Sequence, residues 1–394
     1  MGAFEPNGKP RPLATISAPF VFGEFPFDHA HVAASIERAR ERFPVLGSLQ
    51  YERLLNAPES FTPDTLPIVG ETPEVAGLFV VAGMNSQGIM FGPGAGRAIA
   101  EWIANGAPTM DIAELAPGRF GASQAGARYL CERTRESLGR LYAMHWPNLQ
   151  PETARGLRRT PLHERVKTAG GVFGEVAGWE RANWYVEPGQ TAEYIYSYGR
   201  PAYFESVARE HRAARDAVAL FDLSSFSKIE VSGPGALATV QNAFASDLDV
   251  PIGKVVYTAM LNPQGGVESD LTVVRRDAER FLAIAPAISQ RLIQGRLAGT
   301  DRTAEFATLA VMGPRSRALL ERIATEDLSD DGFPFGTARE IDTGLGMLLA
   351  IRISFVGELG WELYPTADLA VSLYDATVVA GAGSGAAPHW LSRA

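Results

Sequence analysis

The stretch from Val255 to Val274 constrains this chain most. Val255–Leu261 and 267–274 are runs of strand composition, and Asn262-Pro263-Gln264-Gly265-Gly266 between them has turn chemistry. The expected unit is an antiparallel hairpin. Side chains alternate along a strand, so Val267, Ser269, Leu271 and Val273 share one face of the return arm, and Glu268, Asp270, Thr272 and Val274 share the other. Further strands are expected at 228–231, 281–285, 307–312, 347–353 and 361–364, and a helix over 206–217. Strands mixed with helices point to α/β and α+β architecture.

The first half reads differently. Asp28 is placed to cap a helix running to about residue 43, where Pro44 stops it. The apolar run 78–82 suggests a buried strand. A glycine-rich loop follows at 83–88, and Pro93 suits the first turn of a helix ending at Asn105-Gly106. Strand, glycine loop and helix start form a place where a ligand can approach the backbone and meet a positive dipole end. The plainer reading is a tight crossover turn, and spacing alone favours it. Gly92-Pro93-Gly94-Ala95-Gly96 is not a dinucleotide fingerprint, and none follows a strand in this chain. The segment 119–123 reads as a boundary, a helix is expected near 129–142, and Gly170, Gly171, Gly174 and Gly178 mark another break.

At 394 residues the chain is expected to hold two or more domains. A net charge of -9 disfavours nucleic acid and anionic membrane as partners. The lone Cys131 can form no internal disulfide, which fits a reducing, cytoplasmic setting. No run of about 18 apolar residues exists, so no membrane span is expected, and Met1 to Pro12 lack the pattern of an export signal. The scattered histidines suggest no metal site.

Several ordered segments carry a family resemblance. Pro58-Glu59-Ser60-Phe61-Thr62-Pro63-Asp64, then 82–89, Gly94-Ala95-Gly96 and Ala100-Glu101-Trp102-Ile103, resemble the late part of a flavoenzyme. It is the dimethylglycine and sarcosine dehydrogenase family, among the glycine-oxidase-like amine oxidoreductases. Thr160-Pro161-Leu162-His163 and 178–184 resemble its central segment. The segments 220–228, 257–262, 265–273, 311–316 and 355–363 resemble its tetrahydrofolate domain, shared with the aminomethyltransferase of the glycine cleavage system. Asn56-Ala57 stands where that family has asparagine-glycine, and Val356 where it usually has threonine.

The resemblance implies the end of an FAD oxidoreductase domain over 1–120, a linking domain over 121–177 and a folate-binding, aminomethyltransferase-like domain over 178–394. It implies FAD and tetrahydrofolate as cofactors. Gly83, Asn85, Ser86, Gly88 and Ile89 would belong to the flavin wall. Asp270 would be catalytic, orienting an amine or accepting a proton as a one-carbon unit transfers. Tyr257 could pack on the pterin ring or serve as a cross-strand packing residue. Glu358 and Glu362 are both candidates for the pterin N3–H and 2-amino group; in an extended segment they share a face, and periodicity does not choose. The implied reaction is oxidative demethylation of dimethylglycine, sarcosine or a related small N-methyl amine, with the iminium passing to tetrahydrofolate. The alternative is a folate-dependent aminomethyltransferase module without redox activity. The oligomeric state stays open, a homo-oligomer included. The ending Pro388 to Ala394 does not continue the family pattern, which reads as a fragment or truncated gene, inactive alone.

Overall fold

A computed structural model describes residues 8–11, 23–187 and 189–382. The expectations for Met1 to Pro12 lie mostly, and that for Pro388 to Ala394 wholly, outside the described residues. The chain divides into two compact units, Met1–Arg155 and Gly156–Ala394.

In the first unit, α1 spans His29–Arg42. The Asp28 carboxylate accepts a hydrogen bond from the His31 N–H at 3.0 Å, and Pro44 follows the helix end, as the sequence implied. Strands β1 (Ile68–Glu71) and β2 (Phe79–Ala82) pair antiparallel. Helix α2 covers Gly88–Asn105 and stops at the left-handed Gly106. Helix α3 covers Ala127–Arg140 and buries Tyr129, Arg133 and Ser137, one residue per turn on one face.

Two expectations change here. Strand β2 is half exposed rather than buried, because it pairs only with β1 in a two-stranded sheet among the described residues. Helix α2 begins at Gly88, five residues before the expected start, and holds Pro93 inside it. Hydrogen bonds from the Met90 and Phe91 N–H groups to the Gln87 carbonyl already close the first turn. The proline therefore sits where only one early helical bond is lost.

The second unit opens with α4 (His163–Thr168), β3 (Gly171–Val176) and β4 (Trp179–Tyr185). Of the glycines expected to mark a break, Gly170 lies in the turn after α4, and Gly171, Gly174 and Gly178 belong to the β3–β4 hairpin, whose turn holds Gly178 at φ 80°. Then follow α5 (Phe204–Asp216), β5 (Ala219–Asp222), β6 (Ser227–Ser232), α6 (Ala236–Ala243), β7 (Val255–Leu261) and β8 (Val267–Asp277). The chain continues through β9 (Arg280–Ala285), α7 (Gln290–Leu297), β10 (Thr300–Asp301), β11 (Leu309–Met312) and α8 (Ser316–Leu320). It ends in β12 (Ala338–Asp342), β13 (Met347–Ile351), β14 (Gly360–Tyr364) and α9 (Ala370–Ala382).

These strands form two five-stranded antiparallel sheets, ordered β10-β6-β9-β8-β7 and β12-β13-β14-β11-β5. Ile229, Val231, Leu271, Val273, Phe281 and Ala283 pack with residues of α6 and α7. The opposite face of that sheet, through Val255, Val274, Leu282 and Ile284, meets Leu349, Ile351 and Tyr364 of the second sheet. Trp361 and Leu363 point the other way, into a core shared with α8 and α9. The period-two alternation thus assigns Glu362 and Tyr364 to the side facing the first sheet. No helix among the described residues is long and apolar enough to cross a membrane.

Candidate functional site

In the second unit the expected hairpin forms, with Tyr257 opposite Thr272 and Ala259 opposite Asp270. Ser269, Leu271 and Val273 are buried as the alternation required, while Val267, next to the turn, is exposed. On the other face the Tyr257 hydroxyl donates to Asp270 Oδ2 at 2.6 Å. That bond holds the phenol above its usual pKa. Tyr257 is 70% exposed, so its ring is a free surface rather than a packed cross-strand partner.

Lys228, Ile284, Thr272 and Tyr257 are successive partners across β6, β9, β8 and β7, so they project from one face. Two residues further along β8, by the same parity, Asp270 falls on that face too, and Phe226, just before β6, packs against the apolar cluster of that face. The Phe226 ring lies 5.9 Å from Phe355, which is exposed. The Arg181 guanidinium stands 5.9 Å from the same ring. An aromatic surface and a reachable carboxylate therefore share one sheet face. Their chemistry fits a flat heterocyclic amine: rings to stack on and an acceptor for its N–H groups.

The two candidate glutamates part company. Only 360–364 is strand; residues 355–359 bend, with Gly357 at φ 75°, so Glu358 and Glu362 do not share a face. Glu358 is partly exposed and accepts from Arg215 Nη1 at 2.6 Å. Glu362 is 2% exposed, accepts from the Tyr364 hydroxyl and faces the buried Lys228. Burial raises the Glu362 carboxyl against the attraction of Lys228, and burial lowers the Lys228 ammonium. Lys228 Nζ donates to the Ser224 and Phe226 carbonyls at 3.0 and 2.9 Å. It thereby fixes the turn that presents Phe226.

In the first unit the glycine loop is a tied turn. Asn85 is buried at φ 50°; its Oδ1 accepts from the Thr62 N–H at 2.8 Å and from the Thr62 hydroxyl at 3.2 Å. Its Nδ2 donates to the Gly83 carbonyl at 2.6 Å. Gly83 has φ 63°, and a Cβ there would lie 2.6 Å from Thr62 Cγ2. Ser86 donates to Glu59 at 2.8 Å. These bonds join the 58–64 segment to the loop. Gly88 starts α2, and Ile89 after it is 99% exposed, followed by the exposed Met90 and Phe91. Added Cβ atoms at Gly92, Gly94 and Gly96 would meet nothing within 4 Å. Helical glycines cost about 1 kcal/mol each relative to alanine, and packing within the described chain gives these no reason. A smooth, apolar helix start fits one wall of a flat ring system.

Sequence reasoning singled out neither Lys228 nor Arg181, and named Phe226 only within a family segment. Lys228 carried a weak sign, a cation inside a strand pattern between Ser227 and Ile229. Among the described residues no cluster of His, Cys, Asp and Glu is arranged for a metal.

Residues 11–102 match the family model described as FAD dependent oxidoreductase, 105–160 the FAD dependent oxidoreductase central domain, and 162–391 the GCVT N-terminal domain. A 4-methylaminobutanoate oxidase (formaldehyde-forming) from Paenarthrobacter nicotinovorans is 50% identical over 97% of this chain and 47% of its own length. The mitochondrial sarcosine dehydrogenase of Homo sapiens is 34% identical over 98% of this chain and 47% of its own. The chain spans about half the length of these curated relatives. The crystal structure of glycine cleavage system aminomethyltransferase T from Bartonella henselae aligns at TM-score 0.46 and 25% identity, covering 56% of this chain and 57% of that one. The chain belongs to the GCVT N-terminal domain family, with segments of an FAD dependent oxidoreductase and its central domain ahead of that domain.

Proposed function

We propose that this protein forms part of an FAD-dependent oxidoreductase acting on an N-methylated amino acid, and that the Tyr257–Asp270 face holds the reduced folate that receives the one-carbon unit. One observation carries this reading: a tyrosine and a carboxylate, hydrogen-bonded at 2.6 Å, stand exposed on the same sheet face that bears Phe226, whose ring lies near Phe355. The two relatives' names support the substrate class, since 4-methylaminobutanoate and sarcosine both carry an N-methylamine and a carboxylate. A bound flavin would supply a hydride acceptor, and a bound tetrahydrofolate a nucleophilic ring nitrogen.

The chain's own residues would do the rest. Tyr257 occupies Asp270 Oδ2 and leaves Oδ1 to accept the amine proton that must depart as the new C–N bond forms. Glu358 is our choice for the pterin edge, because Arg215 orients its carboxylate at a partly exposed site while Glu362 lies in the core. Gly83, Asn85, Ser86 and Gly88 would shape the flavin wall from behind, and Ile89 would meet the ring. The matches over 11–102 and 105–160 favour this reading over a transferase module without redox chemistry.

Calorimetric titration of the whole chain with tetrahydrofolate, beside Asp270→Asn, tests the folate half. Saturable binding at one site, altered by the variant, is expected. A folded wild-type chain that takes up no tetrahydrofolate refutes it.

A further inference from the structure

The folate reading leaves Arg181 unused. This arginine lies on β4, half-buried, and forms no hydrogen bond or ion pair among the described residues. Its neighbouring carboxylates are engaged: Asp222 accepts from the Thr160 hydroxyl and from the Ser224 N–H, and Glu180 accepts from the Gly156 N–H. Burial draws its pKa down, and Asp222 only opposes that. Desolvating a cation without a hydrogen-bonding anion is costly, so such a group is placed to meet an acceptor from outside.

Two observations narrow that acceptor. The guanidinium shares the Phe226 ring, at 5.9 Å, with Phe355, so an aromatic surface on which a planar ring can pack lies beside it. The cavity that Arg181 lines with Thr160, Tyr185 and Asp222 measures about 20 Å³. That is room for one water or for one oxygen atom of a ligand.

We propose that Arg181 is a specificity-determining residue, donating to the 4-oxo oxygen of a pterin seated against Phe226 and Phe355. This rests on the folate reading and deepens it. Glu358, three residues from Phe355, would accept from the donor edge of the same ring while Arg181 donates to its oxygen. The two together would read the lactam pattern.

The test is a pair of titrations of the whole chain, with tetrahydrofolate and with its 4-amino counterpart, in which an amine donor replaces the ring oxygen. The wild type should prefer the 4-oxo ligand by about tenfold or more, the effect of one hydrogen bond to a charged group. Arg181→Met should weaken the 4-oxo ligand by that factor, leave the 4-amino ligand unweakened and bring the ratio to about one. Equal weakening of both ligands, or an unchanged ratio, overturns the proposal. Should Arg181→Met fail to melt cooperatively, Arg181→Lys decides: a reduced ratio supports the proposal and a wild-type ratio overturns it. If the wild type binds both ligands equally, Arg181 alone is misassigned. If it binds neither, the folate reading falls and this inference with it.

Discussion

Glu210 offers a sharp test of how burial sets charge in this protein. It lies on α5, 2% exposed; Oε1 accepts from the Tyr185 N–H at 2.9 Å and Oε2 has no partner. Burial outweighs that hydrogen bond and the nearby Arg209, and lifts the carboxyl from 4.5 to about 8. An unfolded glutamate releases its proton near 4.5 and the folded one near 8, so the folded state holds more protons in between. Stability therefore falls as pH rises through this window, and Glu210 subtracts nothing further above it. At about 1.4 kcal/mol per pH unit, the full loss is on the order of 5 kcal/mol. Glu210→Gln keeps an acceptor for the Tyr185 N–H and cannot ionise. Urea unfolding followed by fluorescence of the buried Trp179, Trp184 and Trp361, from pH 5 to pH 8.5, reads the difference. The wild type should lose several kcal/mol more than the variant over that range. Other titrating groups, Glu362 included, are common to both proteins and drop out of the comparison. Parallel curves would refute the reasoning.

Three further outcomes follow from the geometry. Lys228→Met leaves the Ser224 and Phe226 carbonyls without their buried donor and should cost about 1 to 3 kcal/mol, as unfolding in urea would read. Tyr257→Phe removes one exposed hydroxyl, so stability should stay within about 0.5 kcal/mol, while calorimetry should show tetrahydrofolate binding weakened by about tenfold. Gly83→Ala forces a side chain against Thr62 at a positive φ and should destabilise the first unit by about 1 to 3 kcal/mol, visible as earlier proteolysis within 58–90.

Local chemistry made much of the fold legible. Asp28 and Pro44 bound α1 because capping and φ restriction act within a few residues. The 255–274 hairpin was readable because the turn residues and the period-two pattern agree. Strand β2 was misread because an apolar run does not reveal how many strands will flank it. The pairing of Tyr257 with Asp270 was half visible: parity placed Asp270, but register decided that the two side chains meet. Glu358 and Glu362 could not be told apart by periodicity because the bend over 355–359 ends the alternation between them. Arg181 was hidden for a simpler reason. A missing counter-ion is a property of three-dimensional surroundings, and no spacing rule encodes it.

The buried lysine and glutamate come from different sheets: Lys228 from β6 and Glu362 from β14. Either sheet assembled alone would lose part of the attraction its buried charge feels, Lys228 that of Asp222 and Glu362, and Glu362 that of Lys228. The attraction between these charges therefore favours the native docking of the two sheets. The central strands of both sheets should then open together, with amides on β9 and β14 exchanging at one shared free energy and never in sequence.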